Sequence, residues 1–420
     1  MTNLLLDTRI AGVPFLLGLY SVSGIAVIVL ALSLRRMGRR RVGVTLGGIL
    51  AGTVLGWVAT WLVCDVWDLI GLSADLVTRL WVCAFGAAVV LAGFSLVRTR
   101  WRMRLLAAVA LPLVLLTAAA GVNAQVGQFD TLRTALGLGL IDPLSAAGPG
   151  LPGSERGSVG TVTIPAPESG FAARTAVVYL PAVARRARPP ALPVLEMMSG
   201  QPGGPADLFT SGRFGEILDA FAAAHHGLAP IVVVPDQLGA ADRNPMCVDS
   251  GLGNSATYLT RDVPNWIRSH FTVAAAPGGW AIGGFSQGGT CSIQLGAAHP
   301  DLFGTILDIS GELTPHAGTP QQTVATGFGG SWAAYAAAAP TALLAAHAPY
   351  QSLHAISAVG SNDARYRSWM TTVSAAATAA GVTSHVIVSP GTAHDWHTVV
   401  YALTKALPLL ADRLGLAGTR

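Results

Sequence analysis

Ser286 stands in the stretch Gly284-Phe285-Ser286-Gln287-Gly288-Gly289, after the apolar run Trp280-Ala281-Ile282-Gly283 and before a run containing Ala and Leu. This reads as a strand, a sharp turn and a helix with G-x-S-x-G at the turn. A serine held at such a turn adopts a strained backbone, so its neighbours must be small. Gly284 and Gly288 let strand and helix approach closely, and Gly289 adds room. The hydroxyl then stands clear above the end of a sheet. The helix behind it turns N–H groups and partial positive charge toward any developing oxyanion. The chemistry this arrangement suits is nucleophilic attack by the Ser286 oxygen.

A serine hydroxyl is a poor nucleophile until a base takes its proton. His394 is the leading base, because Ser389-Pro390-Gly391-Thr392-Ala393 delivers it from the carboxyl end of a strand expected over residues 385–388. His397 is a rival that falls within the last helix. Asp363, just after a strand expected over residues 354–359, is the acid that would orient the imidazole. Asp308 and Glu312 flank another strand end and are weaker rivals, and Asp395 adjoins the base too closely to reach its far nitrogen. The chain order Ser286, Asp363, His394 is the nucleophile–acid–base order of α/β-hydrolases. For the oxyanion, one N–H is expected from Gln287 and a second from Gln201 in the loop Ser199-Gly200-Gln201, with Gly200 as its rival. His394-Asp395-Trp396-His397 also has metal-ligand residue types, but no further clustered ligands support a metal. The reading calls for no metal and no cofactor. A disulfide between Cys247 and Cys291 would pin a loop beside the site.

These groups need strand ends to hold them. Residues 159–165 and 174–181 have β-branched, partly alternating patterns and suggest an antiparallel pair. Strands expected at 192–198, 231–235, 280–285, 304–309, 354–359 and 385–388 then alternate with helical stretches, among them 214–226 and 258–271. Short Val/Ile runs alternating with helices predict a mostly parallel sheet covered on both faces, with its ligand site beyond the carboxyl ends of the strands.

The N-terminal part is of another kind. Charged residues make up only 11% of the chain, below the ~25% of ordinary soluble proteins. Apolar runs at 13–34, 42–63, 77–97 and 105–120 are near the length that spans a bilayer. Residues 1–120 carry a net +7 and the remainder −3. The arginines cluster at 35–41 and 98–104, in alternate loops, while the loop between the second and third runs has Asp65, Asp68 and Asp75. The positive-inside rule therefore predicts cytoplasmic arginine loops, with the N-terminus and everything after residue 125 outside. The basic excess is explained by topology, so no nucleic-acid partner is expected. No ionisable residue lies deep in a span, so ion transport is not indicated and the bundle reads as an anchor. Gly48, Gly52 and Gly56 repeat every four residues, either as a helix–helix face or by chance in a Gly-rich helix. The expected organisation is a four-helix transmembrane anchor over 1–125, a linker over 126–156 with breakers at 148–154, and an extracytoplasmic α/β-hydrolase domain over 157–420.

From about Gly157 onward the chain resembles the esterase D-type branch of the α/β-hydrolases, which also includes the mycolyltransferases of actinobacterial envelopes. The likeness rests on Gly284-Phe285-Ser286-Gln287-Gly288-Gly289, Ser199-Gly200-Gln201, Thr392-Ala393-His394-Asp395-Trp396 and Tyr258-Leu259-Thr260-Arg261-Asp262-Val263-Pro264. Asp363 fits the esterase acid position better than the mycolyltransferase one, where glutamate is usual. The first 125 residues resemble the multi-span anchors of actinobacterial esterases. The resemblance implies acyl-ester chemistry at the outer face of the membrane, on an acyl-ester substrate such as an envelope lipid or glycolipid. Three readings follow: a membrane-anchored serine esterase; an acyltransferase passing the acyl group to a sugar or lipid hydroxyl; and a non-catalytic envelope-binding relative. In the second, residues 311–350, with Trp332 and Tyr335, would be a lid that excludes water.

Overall fold

The computed structural model describes residues 5–33, 38–67, 74–98, 100–138, 141–144 and 156–416. Two compact units are present, one ending at Gly139 and the other starting at Leu140. The arginines at 35 and 36, Asp68 and the breaker cluster at 148–154 lie outside the described residues.

The first unit contains α1 (Val13–Ser33), α2 (Arg39–Trp61), α3 (Leu76–Arg98) and α4 (Trp101–Val126). All four are long and apolar enough to cross a membrane. Leucines and valines such as Leu17, Leu50 and Leu105 point outward, while small residues face inward. A Cβ on Gly52 would meet the Gly86 carbonyl and Val90, and one on Gly56 would meet the Val82 carbonyl. The four-residue glycine repeat is thus a packing face of α2 against α3. The hydroxyls of Thr45, Thr60, Ser95 and Thr117 bond carbonyls one turn back on their own helices, so no polar group is left bare in the bundle interior at these positions.

The fourth helix runs beyond residues 105–120 at both ends, because the Ala/Gly/Asn stretch after residue 120 still supports helical hydrogen bonding. Residues 126–138, expected as the start of a linker, belong to the first unit. Thr131 caps a helical turn, α5 (Leu132–Ala135); Leu132 N–H donates to Thr8 O, and Arg133 pairs with Asp7 at 2.8 Å. Residues 141–144 belong to the second unit, where Leu144 N–H donates to Thr161 O and Thr161 N–H to Asp142 O. In both cases local backbone and charge partners replace a free linker.

The second unit is built on an eight-stranded sheet: β1 (Ser158–Val162), β2 (Ala176–Leu180), β3 (Val194–Met198), β4 (Ile231–Val234), β5 (Trp280–Phe285), β6 (Thr305–Ile309), β7 (His354–Gly360) and β8 (Thr383–Ser389). The order is β1-β2-β4-β3-β5-β6-β7-β8. β1–β2 and β2–β4 are antiparallel and all other pairs parallel. β2 through β6 are buried at every residue, so their sequences are mainly apolar without a polar alternation, with Glu196 in β3 and Asp308 in β6 as buried carboxyls among them. The helices of this unit are α6 (Phe214–Ala224), α7 (Val263–His270), α8 (Gln287–Ala298), α9 (Pro320–Gly327), α10 (Trp332–Ala337), α11 (Pro340–Ala346), α12 (Ala364–Ala379) and α13 (Trp396–Arg413). The stretch 258–271 is not one uniform helix: it opens with a π-helical turn, Tyr258–Asp262, before α7. Pro264 has no N–H to give the carbonyl four residues back, so the regular ladder cannot run through it.

Candidate active site

The carboxyl ends of β3, β5, β6, β7 and β8 carry, in turn, the Ser199 loop, Ser286, Ser310, Asp363 and His394. Ser286 sits between β5 and α8 with φ 57° and ψ −120°, a left-handed conformation that a side chain adopts only under constraint. Ser286 N–H donates to Ile309 O at 2.8 Å, which ties the turn to β6. A Cβ on Gly284 would collide with the Gly288 backbone, and one on Gly288 with the carbonyls of Met198 and Ser199. Small residues here therefore let the helix start hard against two strand ends. As the first residue of α8, Gln287 has a backbone N–H with no carbonyl within the helix to receive it.

Asp363 caps α12: its Oδ1 accepts from Tyr366 N–H at 3.1 Å. That leaves Oδ2 turned to His394 Nδ1 at 3.3 Å, both side chains being almost fully buried. The approach is within ion-pair distance but lacks hydrogen-bond angles, and both atoms, with His394 Nε2, are buried without a hydrogen-bond partner. Such contacts tighten when substrate closes the site. The imidazole is fixed in place by rings on two sides, Tyr366 at 3.9 Å and Phe285 at 4.9 Å between centroids. Phe285 immediately precedes Ser286, so the packing brings the imidazole to the elbow across the end of β6.

The rivals are occupied elsewhere. Asp395 caps α13, accepting from Thr398 N–H and Ala393 N–H, and so shapes the loop that carries His394. His397 is exposed on α13. Asp308 accepts from Gly311 N–H at 2.8 Å. Burial pushes its carboxyl up to about 7 against the opposing pull of that bond. Glu312 N–H donates to Thr290 Oγ1, and its carboxylate stands 3.9 Å from His316 Nδ1.

In the Ser199 loop, Gly200 lies against Ser286: a Cβ on it would sit 3.3 Å from Ser286 Cβ. The Gln201 side chain turns away and donates to Arg243 O at 3.2 Å. The loop is braced by groups the sequence reading did not single out. Arg174 donates to Gly203 O at 2.8 Å and grips Asp236 with two nitrogens, while Asp207 accepts from Gly204 N–H. Burial raises the Asp207 carboxyl, opposed by Gly204 N–H and Arg174. Gln237 donates to Ser199 O and to Gln287 Oε1. The signal that could have found Asp236 and Gln237 is their place directly after a Val-rich strand, where the site was expected.

Cys247 and Cys291 are disulfide-bonded, with Cα atoms 5.5 Å apart, so the loop before residue 248 is tied to α8. The segment proposed as a lid packs down through buried Leu344 and through Gln294, which donates to Ala338 O, while Tyr335 bonds Thr314 within the segment. Trp332 remains 53% exposed.

A strained serine at a β5–α8 elbow in a sheet of this order, with a histidine and an aspartate from later strand ends, defines an α/β-hydrolase. The sequence profile of the family described as "Putative esterase" matches residues 172–409, and the chain belongs to that esterase family of hydrolytic enzymes. An uncharacterized protein of Corynebacterium glutamicum is 34% identical over 332 residues, covering 75% of this chain and 78% of that one. That span is longer than the second unit, so the likeness reaches into the helices. The MPT51/MPB51 antigen of Mycobacterium tuberculosis is 39% identical over 77 residues, 18% of this chain and 25% of the antigen. Among solved structures, a ferulic acid esterase superposes with a TM-score of 0.53 at 18% identity, over 62% of this chain and all of that one. An S-formylglutathione hydrolase from Agrobacterium tumefaciens superposes with a TM-score of 0.52 at 18% identity, over 62% and 97%. At this identity both likenesses are of fold.

Proposed function

We propose that this protein is a membrane-anchored serine esterase whose acyl-ester substrate is met outside the cytoplasm. Ser286 Oγ attacks the ester carbonyl carbon, and His394 Nε2 takes its proton. Asp363 Oδ2 holds the imidazole through Nδ1 and stabilises the imidazolium. The tetrahedral oxyanion is received by the N–H groups of Gln287 and Gln201. Collapse of the intermediate expels the alcohol, protonated by His394, and leaves an acyl-enzyme. Water, deprotonated by the same imidazole, attacks that acyl group, releases the acid and returns the proton to Ser286. The observation that carries this reading is the left-handed Ser286 backbone with the His394 imidazole packed on the adjoining Phe285 and Asp363 3.3 Å behind it.

A fluorophosphonate probe labels the native protein and not Ser286→Ala; labelling that persists in the variant removes Ser286 as the nucleophile. Product analysis of a model acyl ester with and without a sugar acceptor separates hydrolysis from acyl transfer.

The extracytoplasmic placement rests on the two arginine clusters in alternate loops and is supported by the Cys247–Cys291 disulfide, which suits an oxidising compartment. Envelope lipids or glycolipids are the substrates such a placement would offer.

A further inference from the structure

Gln237 is 1% exposed and follows β4, yet its side chain reaches over the end of β3 to the elbow after β5. Its Nε2 donates to Ser199 O at 2.6 Å and to Gln287 Oε1 at 2.9 Å. One amide nitrogen thus spends both hydrogens on the two segments that carry the proposed oxyanion donors. The backbone that presents Gln237 is itself held: Asp236 accepts from Leu238 N–H and Gly239 N–H, and Arg174 fixes Asp236 from the β2 side. The Gln287 side chain is secured from the opposite side, donating to Asn244 Oδ1 at 3.0 Å and Cys291 Sγ at 3.2 Å, and Asn244 donates to His316 O at 2.7 Å. Ser199 and Gln287 are themselves buried, so water does not replace these bonds cheaply.

We infer that Gln237 is a positioning residue that sets the separation between the two halves of the oxyanion hole. It acts through Ser199 and Gln287 and does not touch the reacting atoms. The inference rests on the proposed esterase reading and deepens it. Because both donors must converge on a tetrahedral oxygen, a shift in either segment weakens binding of the transition state more than binding of the ester.

The test uses the full chain in detergent micelles with a p-nitrophenyl ester and an alkyl boronic acid, whose serine adduct mimics the tetrahedral intermediate. Gln237→Met keeps length and volume but has no donor. The expected result is a fall in kcat of about 10-fold or more, a KM within two-fold of native, and a boronate Ki raised by about the same factor as kcat falls. A kcat within two-fold of native overturns the inference, as does a lower kcat with an unchanged boronate Ki. If Gln237→Met does not fold, Gln237→Leu, which also lacks any donor, is held to the same criteria. Ser286→Ala separates the levels: turnover that survives it sinks the esterase reading, whereas a dead Ser286→Ala beside a fully active Gln237→Met sinks only the positioning role.

Discussion

Thr45, Thr60, Ser95 and Thr117 in the helical unit, and Glu196, Asp236, Asp308 and Asp363 in the hydrolase unit, are all buried, but they are buried on different terms. The four hydroxyls each return a bond to their own helix, and Thr117 also pairs with Ser23 on α1 at 2.5 Å. Two of the carboxyls meet groups far along the chain, Asp236 with Arg174 and Asp363 with His394, whereas Asp308 accepts from Gly311 three residues on and Glu196 has no hydrogen-bond partner. Glycine divides in the same way. Gly52 lets two helix backbones touch, and the contact serves packing alone. Gly284 and Gly288 permit an equally close approach, and there it strains a serine into position. Helices apolar enough to cross a membrane return their buried hydroxyl bonds to their own backbone, since an orphan in hydrocarbon finds no water. A unit that must hold reactive groups invests in long-range polar contacts and leaves a few, such as His394 Nε2, unmet.

The largest expected effect comes from closing the tighter of the two glycine contacts. Gly284→Ala puts a methyl group into the Gly288 backbone, so the elbow must open. Displacing Ser286 by about an ångström should cut kcat/KM by about 100-fold, measured on a p-nitrophenyl ester. Near-native kcat/KM in Gly284→Ala would mean that the elbow tolerates expansion and that the contact is packing, as in the helices. The reciprocal change, Gly52→Leu, drives a branched side chain into the Gly86 carbonyl and Val90. It should destabilise the helical unit by about 1–3 kcal/mol, seen as a lower yield of membrane-inserted protein, while kcat of the purified fraction stays within two-fold of native. A large fall in kcat would break the division of labour between the units.

The parts of the site legible in the sequence are those that strand ends deliver in chain order. Ser286 was visible because a turn this tight demands glycines, and Asp363 and His394 because each closely follows an apolar run. Gln237 was not. β4 lies between β2 and β3, so residue 237 adjoins Ser199 only after the chain has crossed back over the sheet, and nothing local records that crossing. Arg174 and Asp236, 62 positions apart, were hidden for the same reason. In the helical unit the glycine repeat could be seen but its partner could not, since Gly86 becomes a neighbour only through the α2–α3 pairing. The fold class was readable because fully buried parallel strands leave short, mainly apolar runs between helical stretches.

A third test, read through pH, asks how the hydrolase unit holds a buried carboxyl. Asp308 lies under the start of α8, where Gly289 and Gly311 leave room for its carboxyl and Gly311 N–H is its donor. Burial raises its pKa from an ordinary 3.8 to about 7. Between those values the folded protein holds a proton that the unfolded chain has lost. Stability must therefore fall as pH rises from about 4 to about 7 and level off above that, by about 4 kcal/mol in all for a single group. In Asp308→Asn the amide oxygen would still accept from Gly311 N–H, and the side chain would not ionise. The variant should match the native protein near pH 4 and exceed it in Tm near pH 8, as followed by calorimetry of the full chain in micelles. Glu196, which burial also pushes well above the usual carboxylate range, adds a slope of the same sign to both proteins and cancels in the difference. A Tm difference between Asp308→Asn and native that does not change with pH would show that the Asp308 carboxyl is ionised in the fold, and that this unit shelters charge where only a neutral acid is expected.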